Sequence, residues 1–245
     1  MKKILFVATM LAMVLSLSAQ RQMYVWQDGV KTTYEVANVD SITFSKVENP
    51  DPNTGNHEYV DLGLSVKWAT CNVGATKPEE YGDYFAWGET QPKDYYDWST
   101  YKWCNGRYNT LTKYCTNSDC GTIDNKTVLE AADDAARANW GGSWRMPTKA
   151  EQDELRNNCT WTWTTQNGVN GYKVTSKSNG NSIFLPAAGH RAGSSLNNAG
   201  SIGSYWPSSL GIHPNTAYYL GFSSSDVGWY SHTRDDGFSV RPVCQ

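Results

Sequence analysis

The sequence predicts an α+β domain. Three observations carry that expectation: an alanine-rich stretch with helical spacing at 126–140, a helix-capping signature at 147–155, and a train of alternating strands and Asn-Gly turns from about residue 160 onward. Helices come first and antiparallel strands later. That is the order of a segregated α+β domain, not of alternating β-α-β units.

Taken in chain order, "MKKILFVATMLAMVLSLSAQ" reads as a secretory signal peptide over 1–19. Lys2 and Lys3 form the charged start, Ile4 to Leu17 is mostly apolar, and Ser16, Ser18 and Ala19 are the small residues a signal peptidase selects. The apolar run is short for a retained membrane helix, and no later segment is apolar enough to span a bilayer. The expectation is an exported chain with no transmembrane segment after signal removal, at the cell surface, outside the cell or in the periplasm. Residues 20–48 form a short β unit, in which Tyr24 and Trp26 precede the turn "QDG" and Thr33 to Phe44 are β-branched and aromatic. Two or three strands are marginal alone in water, so this unit leans on the main domain or on a partner. Pro50, Pro52 and Gly55 mark a linker over 49–57, and residues 58–245 are read as one domain.

Within that domain, Val128, Ala131, Ala132, Ala135 and Ala138 recur at helical spacing, so 126–140 is expected to be helical, with Asp133 and Asp134 on a solvated acidic face. Thr148 and Glu151 make a capping box for a second helix that ends at Asn157 and Asn158. "TWTWTT" puts Trp161 and Trp163 on one face. "NGVNG" and "KSNGN" then turn the chain into "YKVTS" and "SIFLP", a three-strand meander. "TAYYLGF" and "FSVRPV" read as two closing strands separated by a long polar loop, "SSSDVGWYSHTRDDG".

The charge of −3, with 21 Lys and Arg against 24 Asp and Glu, disfavours nucleic acid, whose binding proteins carry a basic patch. Eleven Trp and fifteen Tyr are many, and such rings serve both half-exposed recognition surfaces and loop-rich cores. Six cysteines, Cys71, Cys104, Cys115, Cys120, Cys159 and Cys244, are expected to form disulfides in an exported chain, with the pairing left open. No C-x-x-C pair occurs, so neither a zinc site nor a redox motif is expected.

"YVDLGLSVKWATCNVGA", "GDYFAWGET", "NWGGSWRMPTKAE" and "IFLPAAGHR", followed by "YWPSS" and "GFSVRPV", resemble the Fibrobacter succinogenes major paralogous domain over about 58–245. The family occurs in exported proteins of Bacteroides and its relatives, and "VDSITF" is similar to a prelude found before such domains. The resemblance implies a C-type-lectin-like fold related to formylglycine-generating enzymes. In that fold the first and last strands pair, two helices pack on small antiparallel sheets, and one face is rich in loops. Where the family reads Y-W-S-S-S, this chain has Pro207, which removes a backbone donor and stiffens the turn.

Trp144 is expected in the core, Arg145 against Glu151 or Glu154, and Arg241 in a similar buried pair, all as framework. The candidate ligand-binding residues are Trp206, as a core or rim anchor, with His213 and Asn215. Asp226, Trp229, Tyr230, His232 and Arg234 complete the set. They join flat rings to short hydrogen-bonding groups, the chemistry of adaptable recognition. The resemblance thus points to an exported binding or adhesion module for a glycan or a protein. The alternative is a structural component whose N-terminal β unit joins a surface assembly. A formylglycine-generating-like thiol enzyme stands behind both, because no Cys–His or Ser-His-Asp arrangement is evident in the sequence. Calcium-lectin triplets are absent, "HPN" at 213–215 and "QPK" at 91–93 being the nearest, so no metal or other cofactor is expected.

Overall fold

The computed structural model describes residues 22–27, 30–35 and 55–245. The signal segment 1–19, linker residues 49–54 and the "VDSITF" segment lie outside the described residues. The chain divides into two compact units, Met1–Val47 and Glu48–Gln245. In the first, β1 (Gln22–Gln27) and β2 (Val30–Glu35) pair antiparallel from Gln22↔Glu35 to Gln27↔Val30. The Lys31 ammonium lies 3.6 Å from the Tyr24 ring centroid, a cation–π contact across the hairpin.

The second unit consists of small antiparallel sheets and two short helices, an α+β architecture. Its ends meet. β3 (Tyr59–Val60) and β4 (Lys67–Ala69) lie in one sheet with the last strand of the chain, Val243 pairing Trp68 and Cys244 pairing Lys67. Between these ends come α1 (Ala135–Trp140), α2 (Lys149–Asn158) and the expected meander β5 (Cys159–Gln166), β6 (Val169–Ser176) and β7 (Ser182–Pro186). Asn167 and Gly168, at φ 48° and 84°, close the first hairpin in two residues, which is why Asn-Gly stands there. A short hairpin follows, β8 (His190–Ala192) with β9 (Ser195–Asn197). Then β10 (Ile202–Tyr205), β11 (Thr216–Ser223) and β12 (Asp226–Thr233) form the sheet that carries the candidate site, and β13 (Val243–Cys244) closes the chain. No helix among the described residues is long and apolar enough to cross a membrane.

The helix expected over 126–140 is mostly absent. Residues 127–129 run extended against 208–210, with the Leu129 amide donating to the Ser208 carbonyl at 2.9 Å and Leu210 to Thr127 at 2.8 Å. A single 3-10 turn, Ala131–Asp133, follows, and Asp134 then caps α1 by accepting from the Arg137 amide at 3.0 Å. Asp133 and Asp134 are buried, not solvated. Asp133 accepts from the Tyr114 hydroxyl and the Lys113 ammonium, each at 2.5 Å, and Asp134 accepts the Met146 amide. Burial pushes the Asp134 carboxyl up despite those amides.

The capping box on α2 is complete. The Glu151 amide donates to Thr148 Oγ1 at 3.2 Å, and the Thr148 amide donates to Glu151 Oε2 at 2.8 Å. Arg145 forks onto the same Glu151 carboxylate at 2.6 and 2.7 Å. Arg241 finds no carboxylate. It is buried, and it donates to Asn72 Oδ1 at 2.8 Å and to the carbonyls of Ala69, Thr70 and Phe184 at 2.9–3.1 Å.

The six cysteines are not cross-linked; Cys71, Cys104, Cys115, Cys120, Cys159 and Cys244 are all thiols. Three of them spend the thiol on local carbonyls: Cys71 on Ala75, Cys104 on Trp98 and Cys115 on Asn117, at 3.0–3.2 Å. Cys159 belongs to the main apolar cluster and Cys244 to a separate one around Trp144, so the fold keeps them apart. The interior instead relies on rings. Trp68, Trp87, Trp144 and Trp206 are fully buried, each a substitution site worth about 3–5 kcal/mol on truncation to alanine.

Candidate functional site

The stretch 223–237, expected as a polar loop, is largely a strand. β12 pairs β11 from Ser223↔Asp226 to Thr216↔Thr233, and as the outer strand of its sheet it has a polar sequence where one side meets solvent. Strand alternation then sorts the candidate residues into two sets. One face carries Ala217, Tyr219 and Gly221 opposite His232, Tyr230 and Gly228. The other carries Trp229 opposite Leu220.

On the first face Tyr219 and Tyr230 stack at 5.4 Å between centroids with 30° between planes. Gly221 is what lets them lie there. A Cβ at that position would come within 2.7 Å of the Tyr230 ring and 2.8 Å of the Tyr219 ring. The Tyr230 hydroxyl donates to the Asp226 carboxylate on the same face. Tyr219 rests edge-on against Phe238 at 4.9 Å, and Phe238 stacks flat on Trp206 at 4.0 Å. His232 lies 5.3 Å from Phe238 and 6.0 Å from the His190 ring, and its Nδ1 is 3.4 Å from the Asp236 carboxylate. Burial and the neighbouring Asp235 push the Asp236 carboxyl up to about 7, while burial and His232 lower His190.

Trp229 turns the other way. Its indole N–H donates to Asp153 on α2, and the Lys149 ammonium lies 4.4 Å over its ring and 2.8 Å from the Asp153 carboxylate. It fastens β12 to α2 and packs against the main core, so Trp229 and Tyr230 do not form one patch. Trp206 and Arg234 are fully buried and leave the candidate set. Trp206 supports Tyr219 and Phe238 from beneath, its indole N–H held by the Phe85 carbonyl at 2.8 Å. Arg234 lies 5.4 Å from both the Trp87 and Tyr101 rings and donates to the carbonyls of Tyr114 and Lys113. Pro207 is accommodated, its carbonyl accepting the Trp87 indole N–H at 2.9 Å. His213 is exposed and Asn215 half-buried, both in the turn that enters β11, where the His213 carbonyl takes the Thr216 amide.

The structure therefore assembles Tyr230, His232 and Asp226 with three residues that sequence reasoning missed: Tyr219, His190 and Asp236. Tyr219 was accessible from the alternation of "TAYYLGF" once its partner strand was known. Nothing local marks His190, which arrives from β8. Among the described residues no three His, Cys, Asp or Glu side chains are arranged to hold a metal ion. What the face offers is a pair of flat rings flanked by imidazoles and carboxylates, suited to stacking and hydrogen bonding. No family model, curated protein or solved structure matches the chain.

Proposed function

We propose that this chain is an exported, non-catalytic recognition module whose main domain is C-type-lectin-like. The pairing of the domain's first and last strands, its two short helices and its small antiparallel sheets support that fold reading. One observation carries the functional reading: the stacked Tyr219–Tyr230 pair, with Tyr230 44% exposed, lies on a strand pair braced from below by Phe238 and Trp206. Rigid tyrosines on a fixed scaffold give contact area at low entropic cost. The ligand is a glycan or a protein surface. Catalysis by thiol has less support, because burial pushes the Cys71, Cys120 and Cys159 thiols up, away from an activated thiolate.

The test is a glycan and extracellular-protein capture screen with the intact chain, repeated with Tyr230→Ala and His232→Ala. A hot-spot ring costs about 2 kcal/mol or more when removed, so capture should weaken by at least about tenfold while thermal melting is retained. Capture that survives both substitutions rejects the face.

The second reading, a part of a surface assembly, is favoured by the N-terminal unit. Two strands with an exposed Tyr24 are marginal by themselves and can add to another sheet edge. Deleting residues 20–57 separates the two readings: surface attachment should be lost and ligand capture kept.

A further inference from the structure

A hollow of about 430 Å³ opens along Arg191, the strand neighbour of His190, where alternation along β8 turns the two side chains apart. Asp83, Tyr84, Lys93, Asp94, Arg191 and Ser194 line it. We propose that this hollow is a second binding site, independent of the tyrosine face, and that it takes an uncharged sugar residue gripped between Arg191 and the Asp83 and Asp94 carboxylates.

The grip is built before any ligand arrives. The Arg191 backbone is pinned in both directions to Gly237, at 2.8 and 2.9 Å. Its guanidinium lies 5.4 Å from the centroid of Tyr84, whose own hydroxyl is fixed on the Ala188 carbonyl at 2.6 Å. Lys93 is already committed, to Glu89 at 3.0 Å and to the Thr100 carbonyl at 3.2 Å. The Arg191 guanidinium has no hydrogen bond or ion pair among the described residues, nor do the side chains of Asp83 and Asp94. Five N–H donors and two carboxylates thus share one polar hollow without reaching each other.

The charge balance selects the ligand class. A lone carboxylate would satisfy Arg191 but sit against Asp83 and Asp94, and a lone ammonium would meet the reverse conflict. Neighbouring sugar hydroxyls donate to the carboxylates and accept from the guanidinium, leaving no new charge buried. Tyr84, Pro92 and Tyr96 in the lining supply the apolar side for the C–H face of a pyranose.

The experiment titrates the intact chain with methyl glycosides of glucose, galactose, mannose and N-acetylglucosamine, and in parallel with methyl glucuronide and diglycine, by calorimetry and NMR. At least one neutral glycoside should saturate with a Kd below about 50 mM. Arg191→Ala and Asp94→Asn should each weaken it at least about tenfold, and Tyr230→Ala should leave it unchanged. Asp94 is exposed, so its substitution tests the grip even if Arg191→Ala fails to fold. The proposal is overturned if no neutral glycoside saturates, if the glucuronide or diglycine binds more tightly, or if Asp94→Asn keeps the parental affinity. Loss of the neutral glycoside with Tyr230→Ala would also overturn it, by moving that ligand to the tyrosine face.

Discussion

Arg241 is a full charge in a fully buried position, and it is held by neutral oxygens alone. Burial lowers its pKa, and four hydrogen bonds to an amide and three carbonyls compensate the guanidinium. Removing it strands those acceptors in the dry interior beside Asn72, Ala69, Thr70 and Phe184. Arg241→Met should therefore destabilise the domain by about 3–5 kcal/mol, and Arg241→Lys by nearly as much, since an ammonium cannot reproduce the fork. Urea unfolding checks this, and a loss under about 1 kcal/mol for Arg241→Met would show that the acceptors find water instead. Arg234 obeys the same logic with rings as partners, which is why a residue in the polar stretch "SHTRDDG" belongs to the framework.

Among the elements, α2 shows how a short sequence signal becomes structure. Glu151 serves the helix N-terminus and Arg145 at once, and although burial opposes ionisation, Arg145 and the Thr148 amide hold its carboxyl below the usual range. Thr148→Ala should cost about 1 kcal/mol, the worth of one cap. Glu151→Ala should cost roughly twice that, because it also leaves Arg145 without its carboxylate. Thermal and urea unfolding of the two variants check the ranking; equal losses would mean that the Arg145 fork adds nothing. Signals contained within a few residues were legible in the sequence: this capping box, the Asn167-Gly168 turn and the meander that follows. The stretch at 126–140 was not, because its alanine pattern was overruled by partners far along the chain. Ser208 and Leu210 hold 127–129 extended, and Asp133 is taken by Lys113 and Tyr114. β12 was missed for a related reason. An outer strand with one wet face has the composition of a loop, and only its register with β11 shows that Trp229 and Tyr230 point apart.

At the scale of the main domain, the cysteines cross-link nothing, so that domain's first and last strands are held by β13 on β4 and its interior by packed rings. Stability then depends on solution conditions through the buried ionisable groups. Asp236 contributes on the acid side: its carboxyl ordinarily titrates near 3.8 and is pushed up to about 7 by burial and by Asp235. The folded state therefore binds this proton over a range where the unfolded state has released it. The resulting stabilisation is complete below pH 4 and is lost as pH rises through about 7. Asp235 is raised in the same sense by its own burial. His190 acts oppositely: lowered from 6.5 by burial and by His232, it favours the fold above that value and penalises it as pH falls. Asp236→Asn separates the two effects, because asparagine keeps the uncharged shape and cannot ionise. The variant should match the parent near pH 4 and exceed it by about 1–3 kcal/mol at pH 8, with the divergence opening between those limits. Urea midpoints measured from pH 4 to 9 decide the matter, and curves that stay parallel would place the Asp236 proton loss near its ordinary value. The same carboxylate stands 3.4 Å from His232, so its ionisation state also sets the charge presented at the tyrosine face.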